Sequence, residues 1–456
     1  MTEVQATVEK ARSAARWWGG LGHRERRTRL LAWKRHLARH IGELAALVAE
    51  ETGKTQDDAA LEVMLAVEHL DWAARNAGKV LGRRRVPSGM LAANHVATLE
   101  YLPLGVVGVI GPWNYPVYTP LGSVSYALAA GNAVVFKPSE HTPRTGAWLA
   151  DAWAAAVPGE PVLQVVLGDG SAGAQLTWSG VDKIAFTGSA ATARKVMATC
   201  AETLTPLVVE GGGKDAMIVA ADADLDAAAR AAAFGGFGNA GQTCAGVERV
   251  YVERSVYPQF LAKLGALAVG EQTMTTAEQP AIVRAHVEDA LSRGGRAVVG
   301  EPSSITARTV APVVLAEVPE DSIAVTEETF GPTLVVNPVD SLAEAITLAN
   351  ASKYGLAASI FSKNAHAAAA TARKLRTGAA SVNAVLGFAG VPSLPFGGVG
   401  DSGFGRIHGA DGLREFSRAQ AVTRQRFAAP MDLMRLDRDP KVMRRALTLF
   451  HLRHGR

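Results

Sequence analysis

Apolar residues early in the chain recur at helical spacing. Leu30, Leu31, Trp33, Leu37, Ile41, Leu44, Leu47 and Val48 fall near a period of 3.6 residues, and residues 4–76 read as a set of packed helices. Turn formers and charges at 83–89 interrupt that pattern, and 92–104 then reads as an extended, partly alternating arm. From Val106 onward, short apolar runs alternate with helical stretches. Residues 106–110, 133–136, 162–167, 183–186 and 207–209 read as buried strands, and helices are expected over 119–130 and from about Ala172 and Ala190. Another helix opens at Thr142-Pro143, with Thr as N-cap and Pro at the first helical position. Such alternation predicts an α/β fold built on a doubly wound parallel sheet. A second alternating region, about 216–416, has strands expected at 249–252, 312–315, 334–336 and 358–361 and predicts a second α/β domain.

A chain of 456 residues, 48% hydrophobic, has material for two or three cores. The division expected is a cofactor domain at 1–90 and 106–211, a catalytic domain at 212–416, an oligomerisation arm at 91–105 and 417–428, and a basic tail at 429–456. The apolar run 104–110 is broken by Gly105 and Gly108, far short of a membrane-spanning helix, and the polar, mixed-charge residues 1–10 offer no signal peptide. Two cysteines, Cys200 and Cys244, exclude a disulfide framework and fit a reducing, cytoplasmic setting. A formal charge of +4 argues against nucleic-acid binding. The positive excess sits at the end, where residues 434–456 carry seven Lys or Arg against two Asp. There Val442, Met443, Ala446, Leu447 and Phe450 form an apolar stripe among Lys441, Arg444, Arg445 and Arg453; a helix docked on its own subunit or a neighbour is expected, with peripheral membrane contact as the alternative. His36, His40 and Glu43 have a spacing that metal ligands use, but Arg35 and Arg39 crowd them, so a solvated helix face and no metal are expected.

In a doubly wound sheet, ligands bind beyond the carboxyl ends of the strands, which is where Lys137, Ser139, Glu140, Gly168, Gly188 and Ser189 fall. Glu140 can accept hydrogen bonds from both ribose hydroxyls and would repel a 2′-phosphate, favouring NAD over NADP, with Lys137 moderating the repulsion. Gly188-Ser189 precede a helix whose first amides can take a pyrophosphate. Glu210 ends an apolar strand and is followed by three glycines and Lys214, so one carboxylate can point into a site that the backbone approaches closely. Cys244 follows Asn239-Ala-Gly-Gln-Thr243, a small and polar segment suited to holding a thiol in a tight turn, whereas Cys200 lies in a motif-free helical stretch and reads as core.

Across roughly 100–417 the chain resembles the aldehyde dehydrogenase superfamily. The blocks that carry the resemblance, in order, are Pro112-Trp-Asn-Tyr-Pro116, Phe136-Lys-Pro-Ser-Glu140, Phe186-Thr-Gly-Ser189, Glu210-Gly-Gly-Gly-Lys214, Gly241-Gln-Thr-Cys244, Glu327-Glu-Thr-Phe-Gly-Pro332 and Leu394-Pro-Phe-Gly-Gly398. The resemblance implies Cys244 as nucleophile, Glu210 as the base that activates water, and Asn114 with the Cys244 amide as oxyanion donors. It implies NAD, or NADP, held by Trp113, Lys137, Ser139, Glu140, Gly168, Gly188, Ser189, Glu328 and Phe330. The reaction implied is aldehyde to carboxylic acid through a hemithioacetal and a thioester. Semialdehyde or coenzyme A-acylating chemistry, and non-redox thiol ester hydrolysis, are the alternatives.

Three departures stand out. Ala193 replaces a second glycine beside the phosphate turn, Gly211 replaces the usual apolar neighbour of the base and is expected to loosen its backbone, and 270–302 is short enough to have lost a surface loop. The ending 396–409 is most similar to the class 3 branch, which tends to be dimeric, and 420–427 looks like a strand that pairs with a partner subunit's arm. A homodimer or homotetramer is therefore expected. The aldehyde pocket is expected near Tyr115, Val117, Tyr118 and 385–388, and its apolar lining suggests an uncharged, hydrophobic aldehyde.

Overall fold

The opening helical pattern becomes four helices, α1 (Glu3–Gly20), α2 (His23–Arg39), α3 (Ile41–Thr52) and α4 (Gln56–Leu81), in a computed structural model that describes residues 2–268, 270–429 and 431–455. The chain then runs β1 (Arg84–Val86), β2 (His95–Pro103), β3 (Val106–Ile110), α5 (Tyr118–Ala130), β4 (Ala133–Lys137), α6 (Pro143–Ala156), β5 (Leu163–Val165), α7 (Gly170–Trp178), β6 (Lys183–Thr187), α8 (Ala190–Thr203) and β7 (Leu207–Glu210). Strands β3 to β7 pair in parallel in the order β7-β6-β3-β4-β5. Every residue of β3 and β4 is buried, as expected for a sheet covered by helices on both faces. The early helices are fastened there by aromatics: Trp18 and Trp33 meet Trp153 of α6 edge-on, with centroids 5.7 and 5.2 Å apart, and the Trp18 indole donates to the Leu128 carbonyl at 2.8 Å. His36 and His40 stack on each other at 4.3 Å.

The second half supplies β8 (Asp215–Val219), α9 (Leu225–Phe237), β9 (Val247–Glu253), β10 (Gln272–Thr273), β11 (Arg296–Val299), β12 (Thr309–Val310), β13 (Val313–Ala316), β14 (Thr333–Val339), β15 (Ala357–Phe361) and β16 (Ala379–Val382). Seven of these form a sheet in the order β11-β13-β14-β9-β8-β15-β16, parallel except for β11, while β10 and β12 pair as a short ribbon. The 270–302 stretch is ordered, carrying β10, a helix over Gln279–Ser292 and β11. Strand β17 (Gly403–Phe404) returns to the first sheet, antiparallel to β7.

Two expectations about local structure are corrected. Thr142 stands at the N-cap of α6, but its hydroxyl makes no cap hydrogen bond; Glu51 of α3 caps the helix instead, taking the amides of Arg144 and Thr145 at 2.9 Å each. The strand expected to join a partner's arm is β18 (Ser417–Gln425), and it pairs with β2 of its own chain. The physical reason is Asn132, whose side chain accepts from the Leu104 and Gly105 amides (2.7 and 3.0 Å) and donates to the Phe416 carbonyl (2.7 Å), so the end of β2 and the start of β18 leave from one point.

The chain divides into two compact units, Met1–Val80 with Pro103–Ser417, and Leu81–Leu102 with Arg418–Arg456. The larger holds both α/β sheets. The smaller holds the β1-β2-β18 sheet and a terminal helix over Pro440–His454, none of whose side chains is buried. No helix among the described residues is long and apolar enough to cross a membrane.

Candidate active site

Three successive residues after α9, Asn239, Ala240 and Gly241, adopt left-handed φ of 54°, 55° and 69°. Only at Gly241 is a side chain sterically barred, because a Cβ there would strike the Gly331 carbonyl. The resulting turn sends Gln242, Thr243 and Cys244 back toward β9. Its hydrogen bonds are internal and dense: Gln242 donates from its amide to the Asn239 carbonyl at 3.0 Å and accepts from the Thr275 amide at 3.0 Å, and Thr243 Oγ1 meets the Tyr115 hydroxyl at 2.9 Å. Asn114, on the loop after β3, donates from Nδ2 to the Gln242 carbonyl at 2.8 Å. One Nδ2 hydrogen is thereby fixed, and Asn114 borders the same cleft as Cys244.

Glu210 ends β7, between Thr187 of β6 and Gly403 of β17. Its side chain is buried, and Oε1 has no hydrogen-bond partner among the described residues. Burial pushes this carboxyl up to about 8, against the opposing pull of the Arg406 charge. The three glycines after it each answer a neighbour. A Cβ at Gly211 would lie 2.6 Å from the Asp401 carbonyl, one at Gly212 would run into the Glu328 carboxylate, and one at Gly213 would lie 2.5 Å from the Cys244 carbonyl. Gly211 also donates to the Ser402 carbonyl at 2.9 Å, so the backbone beside Glu210 is clamped, contrary to the looseness its glycine suggests. Glu328 accepts from the Gly213 amide at 3.0 Å; burial, then the Glu248 charge, push it up to about 8.

Cys244 is half-buried and reached from two sides. On one side is a cavity of about 290 Å³, lined by Tyr115, Tyr118, Phe234, Val385, Leu386 and the stacked Phe388 and Phe396 rings, among others, and including Glu210. On the other is a cleft of about 310 Å³ bordered by Trp113, Asn114, Gly188, Ser189, Gly211, Gly212, Glu328 and Phe330. Burial, followed by the nearby charges of Glu210, Glu328 and Asp215, raises the Cys244 thiol well above its ordinary value.

The structure thus brings Cys244, Glu210 and Asn114 around one point, with Trp113, Gly188, Ser189, Glu328 and Phe330 along the adjoining cleft. Trp113 and Phe330 meet edge to face at 5.5 Å, and Ser189 caps α8 by accepting from the Thr192 amide at 3.3 Å. Lys137 is the last residue of β4, and Ser139, Glu140 and Gly168 lie past the ends of β4 and β5; all four are outside the residues that line the cleft. There the Glu140 carboxylate receives Lys137 Nζ at 3.4 Å and the Ser139 hydroxyl at 3.3 Å. Burial raises the Glu140 carboxyl, but its own amide and the Lys137 charge outweigh this and hold it below the usual value. Val117, expected in the pocket, is instead fully buried and outside the lining, its amide donating to Glu62 at 2.7 Å. Cys200 is buried.

Sequence reading missed Lys54, Glu62 and Phe234 in the cavity and Gln279 in the cleft. Phe234 lies in an alanine-rich helical stretch and Gln279 at a helix start, with no motif around either. Lys54 follows Gly53, the left-handed C-cap of α3, a signal for a sharp turn but not for where the lysine goes.

A thiol on a wall shared by an apolar cavity and a cleft at strand ends defines a ligand-processing enzyme built on paired α/β sheets. The chain matches the aldehyde dehydrogenase family over residues 1–422, and it belongs to that family. It is 41% identical over 426 residues to a 4,4'-diapolycopene aldehyde oxidase of Methylomonas sp, covering 91% of this chain and 80% of that protein. It is 36% identical over 442 residues to a putative succinate-semialdehyde dehydrogenase [NADP(+)] of Mycolicibacterium smegmatis, covering 93% and 85%. Among solved structures, an NAD-dependent aldehyde dehydrogenase from Sinorhizobium meliloti superposes with a TM-score of 0.89 at 31% identity, covering 95% of this chain and 88% of that one.

Proposed function

We propose that this protein oxidises an uncharged, apolar aldehyde to its carboxylic acid, with NAD preferred to NADP, through a thioester on Cys244. The observation that carries this reading is the position of Cys244 between an apolar cavity and a separate cleft, with a buried carboxylate on the cavity side. The cleft suits a dinucleotide: Gly211 and Gly212 in its lining have no side chains, and it reaches Ser189, the N-cap of α8. Trp113, Ser189, Glu328 and Phe330 would hold the dinucleotide, which when bound supplies a hydride acceptor beside the thiol.

The protein's own residues account for the remaining steps. The Cys244 thiol gives its proton to solvent, its sulfur adds to the aldehyde carbon, and the oxygen that gains charge meets Asn114 Nδ2 and the Cys244 amide. Departure of hydride leaves a thioester. Glu210, charged above about pH 8, takes a proton from water as that water attacks the thioester carbon; the C–S bond breaks, the departing sulfur takes the proton back from Glu210, and the acid and the free thiol are released.

Relatives with semialdehyde names raise the possibility of a substrate carrying a second, anionic end. Lys54 is the one cation among the described residues that line the cavity, and its ammonium is already taken by Glu62 and the Asn114 carbonyl at 2.6 and 2.8 Å. This supports an apolar tail over a carboxylate. The test is a comparison of kcat/KM for long-chain aliphatic, aromatic and short semialdehyde substrates with NAD and with NADP. A preference for apolar aldehydes of about tenfold or more is expected, and succinic semialdehyde as the best substrate would overturn the assignment.

A further inference from the structure

Glu62 of α4 and Lys54, in the turn before it, form an ion pair whose side chains are 0% and 1% exposed. A buried pair is costly unless its remaining hydrogen-bonding capacity is filled, and here all of it is directed at one segment of chain. Glu62 Oε2 receives Lys54 Nζ at 2.6 Å, and Oε1 receives the amides of Val117 and Tyr118 at 2.7 and 3.0 Å. Lys54 Nζ donates to the Asn114 carbonyl at 2.8 Å and lies 4.3 Å from the centre of the Tyr115 ring. Val117 is the N-cap of α5 and has no polar side chain, so Glu62 supplies the missing cap from another helix, at the end where a negative charge is favoured.

The segment 114–118 is therefore held at both ends and in its middle by one pair. On its far side, Asn114 Nδ2 is held by the Gln242 carbonyl and the Asn114 carbonyl also accepts from Asn239 Nδ2 at 3.1 Å. We propose that Lys54 and Glu62 are positioning residues for the reaction, fixing the Asn114 side-chain amide where the oxygen of the substrate gains charge. The inference rests on the reading of Asn114 as an oxyanion donor. Neither residue touches the reacting atoms, and the pair acts through the loop.

The test is a double-mutant cycle on the full-length enzyme, pairing the charge-neutral change Lys54→Met/Glu62→Gln with Asn114→Ala and reading kcat, KM and cofactor affinity. The neutral pair is expected to lower kcat about 10–100-fold, with KM and the cofactor Kd within about threefold, as displacement of one oxyanion donor requires. In the Asn114→Ala background the same change is expected to alter kcat by less than about twofold. Losses that multiply in the triple variant, or full kcat in the neutral-pair variant, overturn the proposal. Full kcat in Asn114→Ala alone removes the oxyanion reading and this inference with it, a distinct outcome from multiplying losses. Glu62→Asp keeps the charge and withdraws the carboxylate by one methylene; should the neutral pair fail to fold, the same pattern at about 3–10-fold is expected from this variant, and unchanged kcat overturns the proposal.

Discussion

The main-chain carbonyl of Asp401 lies 2.6 Å from the place a Cβ on Gly211 would occupy, and this turn fills the space beside Glu210. An apolar residue there, usual in the family, cannot be accommodated without moving the 400–402 turn. Gly211→Leu is expected to cost about 1–3 kcal/mol or more through overpacking and to lower activity by displacing Glu210. Thermal unfolding and kcat, measured together, check this; an unchanged Tm would show that the turn yields freely.

Removal of the proposed nucleophile and of the proposed base have different expected signatures. Cys244→Ala is expected to abolish cofactor reduction with every aldehyde. Glu210→Gln is expected to give one equivalent of reduced cofactor rapidly and then to turn over slowly, with steady-state kcat down about 10²–10⁴-fold. Stopped-flow absorbance separates the two, and loss of the burst in Glu210→Gln would place Glu210 before the thioester.

Glu210 must be charged to take a proton, and burial raises its carboxyl to about 8. Deacylation-limited kcat is therefore expected to rise with pH, about tenfold per unit, and to level off above about 8. A pH profile of kcat that is flat between pH 6 and 9 would contradict this assignment.

His286 is held neutral at the Thr329 hydroxyl (3.0 Å), its pKa lowered by burial and then by the Lys214 charge from 6.5 to about 4. Because the folded value is depressed, the unfolded chain takes up the proton first. The stability due to this group is complete above about 6.5 and is lost as pH falls toward 4, by up to ~1.4 kcal/mol per unit. Burial also lowers the pKa of His69 and His408, so they add to the same trend. Unfolding midpoints at pH 7.5, 6.0 and 5.0 should fall, and His286→Asn should fall less steeply.

Glu140, kept ionised chiefly by its own amide and Lys137 against the effect of burial, is expected to select against a 2′-phosphate. If the dinucleotide extends from the cleft to the end of β4, Glu140→Gln should raise kcat/KM for NADP relative to NAD by about tenfold, as removal of one repulsive charge implies. Equal ratios in both proteins would place the discrimination elsewhere.

The central strands were legible because apolar runs bounded by glycine and proline leave few alternatives: 106–110 coincides with β3, and 207–209 ends one residue short of β7. The residues around Cys244 were legible through motifs. What escaped depends on neighbours distant in the chain. Glu51 caps α6 from 93 positions away, Glu62 caps α5 from 55, and neither spacing has a local signature. Val117 was misplaced because an apolar residue between two tyrosine-bearing positions gives no clue to which side of the loop faces the core.

Because cavity and cleft are separate spaces that both reach Cys244, the proposed reaction gives each reactant its own doorway. A molecule wedged against Phe388 and Phe396 would block the aldehyde while leaving the other entrance free, so it would compete with aldehyde but not with dinucleotide.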